Sequence, residues 1–463
     1  MASVTAYGEE AGNAAAVNRH PTGLWFFFWG EFAERCSYYG MRAILFLYLA
    51  GDPTGVIKGG LNLGEDDASP IYFGFKMACY FLPLVGGFLA DRFFGKYWTI
   101  VGFSVPYVLG HFVLGIESLP MVYLALALLA GGSGVIKPNI STLMGQTYDQ
   151  QRPGNDSLRI SAFLWFYFAI NVGAVISTFA LPWIRTNYGY SLAFQFPAWL
   201  MVASLLIFAS GKRFYAVETR DTHRKTPEEK RQQWRTLWQL LGIFGLMVFW
   251  WVGYEHNDSL WVAFARDHMD LTVPGFGDRT LSPDQVQFLN PAFVLIFVPL
   301  FSWFFGKADP EVRIFTRTRK ILAGFMISVV AIGLMAAAGY LAAATGEKVS
   351  VVWLALAYIL LTAGEVLLYG TGLELAYSAA PKSMKSFVTA CFLVTNALGN
   401  LINMRFSKCY GTSLDAVKNG ANTLTPGPYF ALTALIVLAA GIMFIFVGRR
   451  FDRDRAADAA AAA

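Results

Sequence analysis

Charge is scarce in this chain. Of 463 residues only 14% are Asp, Glu, Lys or Arg, where an ordinary soluble domain carries about 25%. With 56% hydrophobic residues, that deficit excludes a soluble globular protein and points to a membrane one. Cysteine is scarcer still: there are four, with Cys36, Cys79 and Cys391 in apolar segments and Cys409 at the edge of one. They make neither a disulfide framework nor a metal site, since no paired-cysteine motif or His/Cys cluster occurs; no metal and no cofactor is expected. The net charge of +5 is small and lies mostly on one side, so it speaks of topology and not of nucleic acid. The first 20 residues lack the basic, apolar and cleavage regions of a signal peptide. The first spanning helix is then expected to direct insertion itself.

What is abundant is long apolar runs and aromatics (40 Phe, 21 Tyr and 13 Trp), which suit lipid contact and interfacial belts. A spanning helix needs about 20 apolar residues. Twelve such runs are read near 23–50, 71–90, 97–116, 121–144, 158–184, 192–211, 237–264, 286–305, 320–343, 351–377, 384–404 and 428–448. The most charged stretch, Lys212 to Arg235, falls between the sixth and seventh. The expected fold is therefore an all-α integral membrane protein. Residues 1–211 form an N-terminal six-helix bundle, 212–236 a linker, 237–450 a C-terminal six-helix bundle and 451–463 a tail. Alternate loops hold 19 Lys and Arg on one side and 8 on the other, which puts both termini and the linker in the cytoplasm. Phe93-Phe94-Gly95-Lys96 after the second run and Phe304-Phe305-Gly306-Lys307 after the eighth occupy equivalent places. They support a duplicated six-helix unit with a site between the halves.

The first run breaks its own rule. Glu31, Glu34, Arg35, Tyr38 and Arg42 fall on one helical face at about 100° per residue. A charge at the middle of a spanning helix costs about 2.5–3.5 kcal/mol on insertion scales. The face is thus expected to line a polar pathway. Elsewhere, Lys76 either snorkels or pairs, His111 reads as a packed, hydrogen-bonded histidine, and Asp258 lies one turn beyond Glu255 with no role assigned.

Several motifs in order resemble one family. Gly87-Phe-Leu-Ala-Asp91-Arg92-Phe-Phe-Gly95-Lys96 resembles the loop motif of the major facilitator superfamily. Its role is a latch between states, with Asp91 capping or pairing with a neighbouring helix end. Glu31-x-x-Glu34-Arg35-x-x-Tyr38-Tyr39-Gly40 resembles the helix-1 motif of its proton-coupled oligopeptide transporters. Tyr80-x-x-Pro83-x-x-Gly86-Gly87, Gly132-x-Gly134-x-x-Lys137-Pro138-Asn139 and Phe166-Tyr167-x-x-Ile170-Asn171-x-Gly173 are similar to that family's patterns. So are Gln287-x-x-Asn290-Pro291, Gly364-Glu365 with Gly372-Leu373-Glu374, and Ala380-Pro381-x-x-Met384-Lys385-Ser386. The resemblance covers helices 1 to 11 and implies the major facilitator fold, twelve transmembrane helices as two six-helix bundles. The implied function is symport of protons with di- and tripeptides into the cell by alternating access. The chain would act as a monomer in a plasma membrane, the inner membrane of a bacterium.

A short peptide is a zwitterion, so its site should offer cations at one end and an acid at the other. Arg35 can grip a carboxylate with two donors while Lys137 acts as a point charge; Glu365 supplies the acid. The resemblance implies the same roles, with the peptide carboxylate toward Arg35 and Lys137 and its ammonium toward Glu365. Asn171 and Asn290 can bond amide groups or the termini, and Tyr38, Tyr39, Tyr80 and Trp251 would line side-chain pockets. Glu31 and Glu34, one turn from Arg35, are proton candidates, as is Glu255. By resemblance, Glu255 also pairs with Arg42 across the outer gate, and protonating it opens that side. The sequence departs from the family at Cys36, at Phe73 in place of a helix-2 histidine, at Tyr369-Gly370-Thr371 and at Phe392. Coupling then rests on carboxylates, and side-chain preference is left open. A facilitator for another small zwitterion or anion, such as an amino acid or nitrate, is the alternative, although a simple anion needs no acid opposite the cations. A membrane enzyme would need a nucleophile–base pair or a metal cluster, and a channel would need rings of like residues; the sequence has neither.

Overall fold

The computed structural model describes residues 19–52, 55, 59–218, 227–275, 279–309, 314–379, 385–411 and 423–462. Ala380 to Met384 of the last motif lie outside the described residues. Among those described, twelve long helical segments follow one another: α1 Gly23–Ala50, α2 Glu65–Leu89, α3 Lys96–Leu114, α4 Leu119–Gln151, α5 Asp156–Tyr188, α6 Tyr190–Ser210, α7 Pro227–Tyr254, α8 Leu289–Ala308, α9 Arg317–Thr345, α10 from Val352–Glu365 through Thr371–Ala379, α11 Lys385–Phe406 and α12 Pro426–Ala462. Nine of the described helices are long and apolar enough to cross a membrane by length and composition. Helix α1 is not among them, because Glu31, Glu34, Arg35 and Arg42 interrupt its apolar run.

Packing explains how α1 tolerates those charges. It is buried on nearly every face, held by α5 and α6 with α2 and α4 alongside. The lipid-facing surface is left to other helices and to the first turns of α1, where Trp25, Trp29, Phe88, Trp98, Trp199 and Trp303 stand exposed. Helices α7, α9, α10, α11 and α12 contact one another in the second half, and the halves meet through α2 with α11 and α5 with α8. Close approach of α2 and α4 rests on Gly86: a Cβ there would sit 2.5 Å from the Val135 Cα. Asn139 seals this crossing by donating to the Gly86 carbonyl at 3.2 Å.

Two of the irregularities among the described helices lie at polar side chains that matter for the site. Helix α10 passes into a π-turn at Val366–Gly370, directly after Glu365; such turns are frequent at functional sites. Helix α7 stops at Tyr254 and becomes a 3₁₀ turn over Glu255–Asp258 before a short helix, Leu260–His268, resumes. The uninterrupted seventh span expected over 237–264 is corrected by that turn. Beyond it, β1 (Met269–Asp270) pairs in parallel with β2 (Val349–Ser350), Met269 against Val349. For orientation, the loops at 95, 152–155 and 211–218 lie on the termini side, and those at 51–52, 59–64, 115–118 and 189 lie on the far side.

Candidate functional site

In the middle of α1 the i to i+4 spacing puts Glu31 beside Arg35, Oε1 to Nε 3.0 Å. Glu34 reaches the same guanidinium from the adjacent position, and its Oε1 also accepts from the Tyr107 hydroxyl of α3 at 3.0 Å. All three charged side chains are within 3% of complete burial. Arg35 lies over the Tyr38 and Tyr39 rings, its Cζ 5.4 and 5.9 Å from their centroids. Both acids meet the guanidinium at its Nε, and Nη2 has no hydrogen-bond partner among the described residues, so part of the fork stays open to a ligand carboxylate.

Lys137 on α4 is half-buried and places its ammonium 4.8 Å from the Tyr80 centroid. Among the described residues no ion pair to Lys137 is formed, which leaves its charge free to meet an anion. In the second half, Glu365 accepts from the Asn290 amide at 2.7 Å. Asn290 also donates to Thr362 Oγ1 at 3.1 Å and meets the Tyr254 hydroxyl at 3.4 Å. Asn171 donates to the Tyr167 carbonyl of its own helix at 2.9 Å, so its amide nitrogen is partly committed to the backbone. Trp251 is pinned by an indole N–H donated to Thr395 Oγ1 at 3.0 Å. Its ring stands edge-on to Tyr369 at 5.5 Å, and Tyr369 packs on Phe392 at 5.5 Å. The departures at Tyr369 of α10 and Phe392 of α11 thus form one aromatic wall with Trp251 of α7.

The far side is closed by charges. Arg42 does not pair with Glu255: its Nε lies 3.4 Å from Asp258 Oδ2. Glu255 instead meets the Lys76 ammonium and accepts from the Asn396 amide at 2.6 Å. The expected Arg42–Glu255 gate pair is corrected by the 3₁₀ turn, which brings Asp258 forward, and by Lys76, which enters from α2. A second closure joins Arg185 of α5 to Asp284, with Nη2 2.5 and 2.6 Å from the two carboxylate oxygens. A third joins Arg266 to Glu65 and to the Gly51 carbonyl. Gln287 donates across the halves to the Ala43 carbonyl at 2.9 Å. All of these contacts between the halves lie on this far side.

The loop latch is also rearranged. Asp91 is largely exposed and pairs with Lys96 of its own loop at 2.9 Å, while Arg92 is exposed. The start of α3 is capped by Glu218, which accepts from the Tyr97 amide at 2.8 Å and from the Lys96 amide at 2.5 Å. Capping of a neighbouring helix end, expected of Asp91, falls to Glu218. His111 is fully buried, 2.9 Å from Ser37 Oγ, and Ser37 donates to the Pro197 carbonyl at 2.7 Å; it is the packed histidine expected. Phe73, at the family's histidine position, stands edge-on to the His256 ring at 5.7 Å. Arg185, Asp284, Asn396 and Glu218 gave no sequence signal, because their partners lie 99, 141 and 121 positions away.

The profile described as PTR2: POT family matches residues 97–226 and 216–418. The chain belongs to the POT family. Human solute carrier family 15 member 2 is 31% identical over 373 residues, which is 69% of this chain and 49% of that protein. The chain thus spans about half the length of that curated relative. The peptide transporter PTR2 of Saccharomyces cerevisiae is 28% identical, covering 84% of this chain and 74% of the yeast protein. Among solved structures, the POT family transporter PepTSo superimposes with a TM-score of 0.79 at 26% identity, over 94% of this chain and 99% of that one. A POT peptide transporter in complex with alafosfalin gives a TM-score of 0.80 at 24% identity, over 95% and 98%. This POT-family chain is accordingly a multi-pass membrane protein of the major facilitator fold. Its family is one of transporters, and among the described residues no group of three or more His, Cys, Asp or Glu could hold a metal.

Proposed function

We propose that this chain carries di- and tripeptides into the cell together with protons, by alternating access between its halves. The observation that carries the reading is the division of charge. The half that carries Arg35 also offers Lys137, a cation without an ion pair among the described residues, while the other half offers Glu365 on Asn290. A zwitterion bridging them ties the two halves together and so links occupancy to closure. The peptide carboxylate goes to Lys137 and Arg35 and the ammonium to Glu365. Asn171 and Asn290 serve its amides, and Tyr38, Tyr39, Tyr80 and Trp251 its side chains. Binding at Arg35 loosens Glu31 or Glu34, which then takes a proton, and Glu255 takes one at the far gate. No cofactor is needed, since one charge crossing 100 mV releases about 2.3 kcal/mol.

With the termini in the cytoplasm of a bacterial cell, the closed far side is the outer one and the described conformation faces inward. Residues 1–211 and 237–450 then rock as two bodies about the 212–236 linker in a functional monomer, with Asp91 and Arg92 in the inner latch and 451–463 as a tail. Proteoliposomes loaded with a pH dye test the reading. Dialanine added outside is expected to acidify the lumen; silence with peptides and a signal with nitrate or an amino acid would replace it with the facilitator of a smaller ion.

A further inference from the structure

Of the four clustered charges Arg42, Lys76, Glu255 and Asp258 at the far gate, Lys76 and Asp258 have no role in the function proposed above. Lys76 of α2 is 1% exposed at its side chain and contacts both Glu255 and Asp258. Its ammonium lies 2.9 and 2.7 Å from the Asp258 oxygens. Arg42, the other cation, reaches only Asp258, at 3.4 Å. The cluster is balanced, two cations against two carboxylates, and Lys76 stands at its centre.

Local backbone geometry makes this arrangement. In a 3₁₀ turn residues i and i+3 eclipse one another. Glu255 and Asp258 stand at i and i+3 of the turn that ends α7, so both carboxylates are aimed at one cation. In a continuous α-helix the two would diverge by about 60° from that alignment.

We infer that Lys76 and Asp258 are positioning residues of the gate: an inserted ion pair that separates Arg42 from Glu255 and makes Lys76 the cation that holds the Glu255 carboxylate. This rests on the gating role of Glu255 proposed above. Opening then requires Lys76 and Arg42 of the first half to part from Glu255 and Asp258 of the second. The other groups around the cluster are occupied or neutral. Tyr72 of α2 lies beneath the ammonium, 5.3 Å from its centroid, and Tyr38 of α1 lies 5.8 Å from the Arg42 guanidinium. His256 of the same turn faces away, 2.9 Å from the Tyr429 hydroxyl. From α10, Tyr358 donates to the Asn257 carbonyl and Glu365 is engaged by Asn290. Tyr254 packs on Trp250 at 4.8 Å, and from α11 Asn396 donates to Glu255.

Charge balance supplies the test. Lys76→Met leaves two carboxylates to one Arg42, so the site must take up a proton at neutral pH. Lys76→Met with Asp258→Asn restores one cation and one acid, and Arg42 can then turn to Glu255. In proteoliposomes, Lys76→Met is expected to lower proton-driven dialanine uptake by at least about tenfold and to shift its pH profile, while counterflow exchange persists. The double variant and Lys76→Arg should recover driven uptake to within about threefold of the parent. A readout independent of substrate is the spin-label distance between Asn187→Cys and Thr345→Cys at the far ends of α5 and α9, in a cysteine-depleted background. It should lengthen in Lys76→Met at pH 7 and return in the double variant. A Lys76→Met protein with parental coupling and distance, or a double variant as defective as Lys76→Met in both, overturns the inference. If the parent moves no peptide, the transport reading fails, and the distance measurement still decides the gate.

Discussion

Arg185 and Asp284 meet across the two halves with neither side chain exposed to solvent. Arg185 closes the far end of α5, and Asp284, which also accepts from Ser282 at 2.5 Å, precedes α8. Two full charges out of water are held only because each has the other, and their separation must accompany opening of the far side. Removing one partner of a buried pair costs about 3–5 kcal/mol.

That cost falls on the closed conformation. Asp284→Asn is therefore expected to shift the population toward the open far side, read as a longer distance between labels at positions 187 and 345. Arg185→Asp with Asp284→Arg should recover part of the shift. A pair that contributes nothing to closure would leave the distance unchanged in the single variant.

Glu255 should separate driving from exchange. Glu255→Gln retains an acceptor for the Asn396 amide, which lies 2.6 Å from Oε1, but gives up the ion pair to Lys76 and the titrating group. Proton-driven uptake is expected to vanish while peptide counterflow continues. Unaltered driven uptake would remove Glu255 from coupling.

Glu365 is the proposed partner of the peptide ammonium. Glu365→Gln keeps a carbonyl oxygen for Asn290 and loses the charge. A charge-assisted hydrogen bond contributes about 1.5–3 kcal/mol, so KM for dialanine should rise roughly ten- to hundredfold. An N-acetylated dipeptide, which has no ammonium, should show little change between the two proteins. Equal losses for both ligands would place Glu365 elsewhere in the cycle.

His111 gives a contrasting expectation. Its Nε2 meets Ser37 Oγ at 2.9 Å and Ser37 donates onward to Pro197, which ties α1, α3 and α6 together. His111→Ala should destabilise the protein by about 1–3 kcal/mol through the hydrogen bond and the space lost, lowering the melting temperature. The pH profile of transport should keep its midpoint. A moved midpoint would make His111 a proton carrier.

The sequence was informative where a property repeats along the chain. Apolar runs of bilayer length marked the spans, and the face at 31, 34, 35, 38 and 42 had to turn inward because lipid cannot solvate charge. Helix α1 is in fact buried on nearly all sides, so its other faces are covered by protein as well. The motifs at Arg35, Lys137 and Glu365 are what suggested the proposed zwitterionic ligand, since residue type sets charge and reach.

Pairing was legible only in part. Glu31 and Arg35 are four residues apart on one helix, so their contact follows from helical pitch. Lys76 and Asp258 are 182 positions apart, and no periodicity connects them. The sequence by itself determined which charges had to be buried, because the cost of exposing them to lipid depends on residue type alone. Tertiary structure decided which charge neutralises which. A break in α7 at Glu255–Asp258 and the approach of α2 set distances of a few ångströms, and ion pairing at that range depends on position in space. Arg42 consequently faces Asp258, and Glu255 faces Lys76.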